Sequence, residues 1–248
     1  MALEGVWDGI HPCDMPPLNV QAIYMSERQI SSMRGPDRKQ VVQKFPGKPI
    51  IELKNAHKGK CVLFFNGETL GHHDLWRVRE SGATIIGMNR THLGHEGYKG
   101  PQPDYLCAID PCWFREGSSL LTHPKIINGG TNKVDTGYRV TRNFRMTPFS
   151  LDLWWDGFVP ATPCTTGHLA MQFAVYAGFT ELFCLGLDFG GGHFDGTKAS
   201  NHMKIANLHL SRMSGVMRKA GVKTFVCGSP NSNCTAFPKV SFEAIFDN

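Results

Sequence analysis

Apolar residues gather in short, nearly unbroken runs, and each run stops on a glycine or a small polar residue. The run 61–65 ends at Asn66-Gly67, and 182–187 ends at Asp188, with three consecutive glycines close behind. Such runs read as strands buried on both faces, the signature of a parallel sheet. Strands are expected at 61–66, 84–88, 105–109, 181–187 and 223–227. Between them the period lengthens to that of a helix. The stretch from Asp74 to Ala83 reads as a helix ending near Gly82. Leu169, Ala170, Phe173, Ala174 and Ala177 share one helical face behind a threonine cap and before a stop at Gly178. Over 201–220, Ile205, Leu208, Met213, Val216 and Met217 repeat at helical spacing until Gly221. This alternation predicts an α/β, Rossmann-like fold: a mostly parallel sheet with helices on both faces.

Two zones depart from the rhythm. Residues 1–58 are punctuated by proline and weakly periodic, with short strand candidates at 20–25 and 49–53, and read as an N-terminal extension packed on the domain 59–248. Residues 112–163 carry Trp113, Phe114, Phe144, Phe149, Trp154, Trp155 and Phe158 among glycines, prolines and arginines. A long aperiodic segment inserted in an α/β sheet reads as a lid. A small buried subdomain or a homo-oligomer contact is the alternative.

Composition narrows the class. A chain of 248 residues can hold one large α/β domain with an appendage. No apolar run approaches the roughly 20 residues that cross a bilayer. The first residues carry acids and prolines where a signal peptide needs a basic flank and an apolar stretch, so the expected compartment is cytoplasmic. The cysteines form no CxxC pair, which argues against a zinc ribbon, and Cys61, Cys107, Cys184 and Cys227 sit inside strands as small hydrophobes. The formal charge of +5 concentrates in 34–60 and at Arg139, Arg142 and Arg145. Without a nucleic-acid motif these read as solvated surface, with nucleic acid as the alternative partner.

Strand, glycine turn, then helix is how an open parallel sheet offers amide N–H groups to phosphate, so the chain is expected to handle a nucleotide. The turn Asn66-Gly67-Glu68-Thr69-Leu70 lacks the lysine of a P-loop and the glycine spacing of a dinucleotide fingerprint. Asn89 ends the second strand and Asp110-Pro111 follows the third, so three neighbouring strand ends would line one crevice. Thr165-Thr166-Gly167 opens a helix, where hydroxyls and amides can receive a carboxylate or phosphate, or simply cap the helix. Asp188 leads a glycine-rich loop that carries His193 and Asp195, and Asn201-His202 stands near the next helix start. A histidine in such surroundings can serve as a general base near neutral pH. His92 with His95, or His193 with Asp188 and Asp195, could be assembled into a metal site, yet no spacing matches an established ligand motif.

Taken in order, these elements resemble the bacterial sialyltransferases of glycosyltransferase family 42. The family's Asn-Gly-Pro-Ser-Leu turn is similar to Asn66-Gly67-Glu68-Thr69-Leu70, its second-strand asparagine to Asn89, and its Asn-Pro pair to Asp110-Pro111. Its Thr-Ser-Gly resembles Thr165-Thr166-Gly167, its Gly-Ile-Asp-Phe resembles Gly186-Leu187-Asp188-Phe189, and its Cys-Pro-Asn-Ser resembles Ser229-Pro230-Asn231-Ser232. The resemblance implies a GT-A-like single domain that takes a CMP-activated sugar and an acceptor, with no metal or other cofactor. It implies that Asn66, Gly67, Thr69, Asn89, Asp110, Thr165, Thr166, Gly167, Asp188, Asn231 and Ser232 bind substrate or nucleotide. A family histidine near the start of the penultimate helix is the general base; His202 matches its position and His193 is the reserve. Two family tyrosines that steady the departing phosphate are absent, with Gly190 and His193 at the corresponding places.

The 6-hydroxymethylpterin diphosphokinases and flagellin-modifying glycosyltransferases share the sheet and the early turn. A diphosphokinase reading would make the chain dependent on ATP and magnesium, with Asp110 and Asp188 as ligands. A catalytically silent nucleotide-binding protein is the remaining alternative.

Overall fold

The computed structural model describes residues 48–108, 125–128, 138–139, 141–142, 158–159, 165–198 and 203–247. Five strands form the body of a parallel sheet: β2 (Lys60–Phe64), β3 (Thr84–Met88), β4 (Tyr105–Ala108), β9 (Glu181–Leu185) and β10 (Lys223–Cys227). Shorter strands extend it, namely β1 (Lys48–Pro49), β5 (Ile126–Asn128), β6 (Tyr138–Arg139) and β11 (Lys239–Val240). The order across the sheet is β1-β6-β5-β4-β3-β2-β9-β10-β11. A separate parallel pair joins β7 (Thr141–Arg142) to β8 (Phe158–Val159).

β2, β3 and β9 lie at the predicted places because all but their first residues are buried on both faces, so almost every position favours an apolar side chain. Cys61, Leu63, Ile86, Met88 and Cys184 face one hydrophobic layer, and Val62, Phe64, Ile85, Phe183 and Leu185 face the other. Against the first layer pack α2 (Thr166–Tyr176) and α3 (Met203–Lys219). Against the second pack α1 (Leu75–Glu80) and α4 (Glu243–Phe246). Helices therefore cover both faces, as the alternation of periods requires.

α2 is buried along its whole length. Thr165 caps it by accepting from the His168 amide, and Ala177 and Gly178 end it, Gly178 in the left-handed region at φ 102°. A β-carbon at Gly178 would stand 2.4 Å from the His57 carbonyl, so the chain can pass here only as glycine. Four buried thiols, Cys61, Cys107, Cys184 and Cys234, share the first layer and Cys227 lies in the second. Burial pushes all of them up, Cys227 to about 12, which leaves them protonated packing groups.

The segment read as an inserted lid differs in part. Ile126–Asn128 and Tyr138–Arg139 enter the main sheet beside β4, so 112–163 supplies β5 and β6 to the sheet itself. The rest of it, apart from Lys125 and the short pair β7 and β8, lies outside the described residues, as do Arg145 and the strand candidate at 20–25. The candidate at 49–53 is a strand only at its start and a 3-10 turn over Ile50–Leu53. Among the described residues, no helix is long and apolar enough to cross a membrane.

Phe173 is fully buried at the centre of α2 and meets Tyr105 edge-on at 5.0 Å. Phe173→Ala is expected to cost about 3–5 kcal/mol in a urea unfolding experiment. A loss below about 1 kcal/mol would show that α2 is not seated on the sheet as described.

Candidate active site at the strand switch point

The strand order reverses between β2 and β9. From β2 the chain builds outward through β3, β4, β5 and β6, then returns to lay β9 on the other side of β2. The crevice outside the carboxyl ends of such a pair is where open α/β sheets bind ligands. Register carries the predicted residues to this edge. Phe64 pairs with Gly87 and with Leu185, and Leu185 pairs with Cys227, so the residues that follow each strand emerge side by side. They are Asn66-Gly67, Asn89, Asp188 and Ser229.

One buried node locks these loops together. The Thr69 amide donates to Asp188 Oδ2 at 2.8 Å and the Thr69 hydroxyl to Asp188 Oδ1 at 2.5 Å. Thr69 Oγ1 also lies 2.5 Å from Ser229 Oγ. The Gly67 amide donates to the Gly186 carbonyl at 2.9 Å. A β-carbon at Gly67 would fall 2.3 Å from that oxygen and 2.5 Å from Asp188 Oδ2, so only glycine fits. Asp188 is thus turned inward with both oxygens accepting from Thr69. Among the described residues, no group of three histidine, cysteine, aspartate or glutamate side chains is placed to hold a metal ion.

On the α2 side, Asn89 adopts φ 48°, a left-handed conformation that asparagine tolerates, and is nearly buried. Its amide donates to Cys107 O at 3.0 Å, and its Oδ1 accepts from the Thr166 hydroxyl at 3.3 Å. The Thr165 hydroxyl is engaged by His168, with Oγ1 2.8 Å from Nδ1. Both hydroxyls thus have partners within the protein. What the start of α2 offers a ligand is the amides of Thr166 and Gly167, first-turn groups with no intrahelical acceptor. Gly167 comes this close because a β-carbon there would meet the Phe65 ring at 2.5 Å. Asn66 Oδ1 is buried and has no hydrogen-bond partner among the described residues.

Ser232 is buried and donates to the Leu187 carbonyl at 2.5 Å, clamping the β9 loop from the β10 side, whereas Asn231 is exposed. Asp110 and His202 lie outside the described residues.

The β9 loop then crosses the end of β2 as a strap. The Phe194 amide and His193 Nδ1–H both donate to the Asn66 carbonyl, at 3.0 and 3.2 Å. Because a carbonyl can only accept, Nδ1 carries the proton and the lone pair of neutral His193 is on Nε2. Burial, and then the Arg90 charge, lower its pKa below 6.5, outweighing the Asn66 carbonyl and Asp195, which raise it. The far end of the strap is pinned by Asp195, whose side chain is 8% exposed and pairs with Arg90 and His95. Burial alone would push its carboxyl up. Bonds from the Thr197 hydroxyl, His95, the Thr197 amide and Arg90 prevail and hold it well below its ordinary value of 3.8. Phe189, at the hinge before the glycines, sits at φ 48°, a conformation uncommon for a bulky residue.

Beneath the strap, on the α1 side, is a cavity of about 580 Å3 bounded by Leu70, Leu75, Arg90, Tyr98, Phe194 and Asp195 among others. None of the residues assigned above to substrate or nucleotide binding lines it. Arg90 carries no sequence signal for such a position. His95 and Asp195 stood out in the sequence only as metal candidates, and the structure joins them to each other instead.

An open, doubly wound parallel α/β sheet with a loop-walled crevice at its switch point defines the class of this protein. No protein-family model matches the chain, and no curated protein matches it. Among solved structures it is similar to the sialyltransferase CST-II in complex with a trisaccharide acceptor and CMP. The TM-score is 0.48 at 17% identity, over 73% of this chain and 85% of that one. A single-residue variant of that enzyme in complex with CMP gives a TM-score of 0.45 at 15% identity over the same shares. The fold assignment rests on the strand order and register.

Two outcomes follow from this geometry. Asp188→Asn replaces an acceptor that faces Thr69 with a donor, and should cost about 1.5–3 kcal/mol by chemical denaturation. Asp195 has a folded pKa below its unfolded one, so its contribution is present above pH 3.8 and is lost as pH falls through the folded value. Asp195→Asn should therefore destabilise at pH 6 and lessen the decline in stability below 3.8. An unaltered acid limb would contradict the pairing.

Proposed function

We propose that the chain is a glycosyltransferase that uses a nucleotide-activated sugar, with a CMP-linked donor favoured, and needs no metal for transfer. The observation that carries this reading is the bond from Thr166 to Asn89, which sets the amides of α2 beside the switch-point strand ends. The helix-start amides of Thr166 and Gly167, the Asn89 side chain and the buried, unpartnered Asn66 Oδ1 suit an anionic group joined to a hydrogen-bonding base. The ordered motif resemblance, from Asn66-Gly67 to Ser232, supports the same donor class. Asp188 and Thr69 act by shaping the turn.

In this mechanism the donor's phosphate lies against the amides of Thr166 and Gly167, where the helix dipole favours negative charge. His193 Nε2 takes the proton as the acceptor's O–H bond breaks. The acceptor oxygen bonds to the anomeric carbon, and the bond from that carbon to the phosphate oxygen breaks, so the nucleoside monophosphate leaves with the electron pair. His193 suits this role because its tautomer is set by the Asn66 carbonyl and its lowered pKa keeps it neutral at pH 7; His202, the positional match in the sequence, lies outside the described residues.

A melting screen with CMP, UDP and ATP tests the donor class; CMP at saturating concentration should raise the Tm by about 2–5 °C. Stabilisation by ATP with magnesium alone would overturn the reading. With a CMP-linked donor, His193→Ala should lower turnover about a hundredfold while CMP stabilisation persists. The neutral imidazole is the active form, so the wild-type rate should fall only as pH drops below 6.5. If His202→Ala abolishes that acid limb and His193→Ala leaves it intact, the base is His202.

A further inference from the structure

We infer that the cavity of about 580 Å3 under the strap is an effector site for a free α-amino acid with an apolar side chain, held as a zwitterion between Glu96 and Lys99. The binding itself does not depend on the transferase reading above; its bearing on transfer does. The volume lies within the range of small-molecule sites.

The walls select the occupant. Leu70, Leu75, Tyr98 and Phe194 make one side apolar, with the Tyr98 and Phe194 rings 6.1 Å apart at 61°. Arg90 and Asp195 also line the space, but they are paired with each other, and His95 Nε2 stands 3.1 Å from the same carboxylate. Glu96 and Lys99 differ. Both are exposed, both line the cavity, and neither side chain has a hydrogen bond or an ion pair among the described residues. The turn that carries them is fixed in advance: the Tyr98 amide donates to the His95 carbonyl at 3.2 Å and its hydroxyl to the Pro101 carbonyl at 2.7 Å. One unmatched charge of each sign therefore borders an aromatic wall. A ligand with only a negative charge would be attracted by Lys99 and repelled by Glu96, and one with only a positive charge the reverse. A zwitterion satisfies both, ammonium to Glu96 and carboxylate to Lys99, while its side chain lies against the apolar side.

Position makes this occupant an effector and not a reactant. Neither His193 nor any residue assigned to the donor lines the cavity, yet its walls start one residue beyond three of them. Leu70 follows Thr69, Arg90 follows Asn89 and Phe194 follows His193. A ligand touching all three walls ties the turn after β2 and the loop after β3 to the strap, whose Phe194 amide donates to the Asn66 carbonyl. Occupancy thus opposes lifting of the strap, and through it bears on the switch-point crevice.

Calorimetric titration of the full chain with L-phenylalanine and L-leucine tests the site, each beside its decarboxylated amine and its deaminated acid, with glycine as the zwitterion that has no apolar side chain. At least one of the two amino acids should bind saturably, about fivefold or more tightly than glycine and than its own two analogues. Lys99→Gln should erase the preference over the amine, and Glu96→Gln the preference over the acid, with Tm unchanged in both variants. In hydrogen exchange followed by NMR, the bound amino acid at about ten times its Kd should slow the Phe194 amide about tenfold. No binding by either amino acid, an analogue that equals its parent, or indifference to both substitutions would overturn the site. Binding that leaves the Phe194 amide unprotected would overturn the effector role. Binding and protection in a chain that CMP does not stabilise would uphold the site and remove the donor reading.

Discussion

Thr69 holds three strand ends in one place. Its amide and hydroxyl reach Asp188 after β9 while its Oγ1 meets Ser229 after β10, and Thr69 itself belongs to the turn after β2. Charge-assisted bonds of this kind are strong because the carboxylate is largely withdrawn from water, and leaving either partner unmatched there is costly. With this node closed, the Gly67 turn can lie against the Gly186 carbonyl. The strap that continues from Asp188 is then delivered across Asn66. Both the rim and the cavity beneath the strap inherit their shape from this contact.

The strap divides the crevice into unlike halves. On the α2 side the groups without a protein partner are helix-start amides and the Asn66 carboxamide oxygen. On the α1 side the lining is aromatic and ionically balanced. His193 stands in the dividing wall with its protonated nitrogen on the Asn66 carbonyl. Asp195 anchors the far end on Arg90 and His95, residues of the loop after β3. Fixing a loop at both ends while placing glycines and a left-handed Phe189 near its start concentrates any hinge motion in that first stretch.

Much of this architecture is legible in the sequence, for local reasons. β2, β3, β4 and β9 read directly because burial on both faces writes them as nearly unbroken apolar runs, and α2 reads because its cap and glycine stop flank it in the sequence. β5 and β6 do not, being two or three residues long inside an aperiodic aromatic stretch and defined by a partner strand rather than by their own pattern. At the site, strand-end positions such as Asn66, Asn89 and Asp188 are legible since they punctuate the runs. What these side chains do is set by partners far away in sequence. Asp188 meets Thr69 across 119 positions and Arg90 meets Asp195 across 105, distances over which no periodicity carries information. Hence Thr165 and Thr166 read as either ligand or capping hydroxyls, and the structure shows Thr165 capping α2 and Thr166 donating to Asn89.

The sulfur-lined layer under α2 and α3 has a consequence for handling the molecule. Thiols kept protonated and sealed between helix and sheet meet an alkylating reagent only when that layer parts, so their labelling rate would register the opening of the core itself and leave surface fluctuations unseen. The interior thus carries its own clock for how often the sheet and its helices separate.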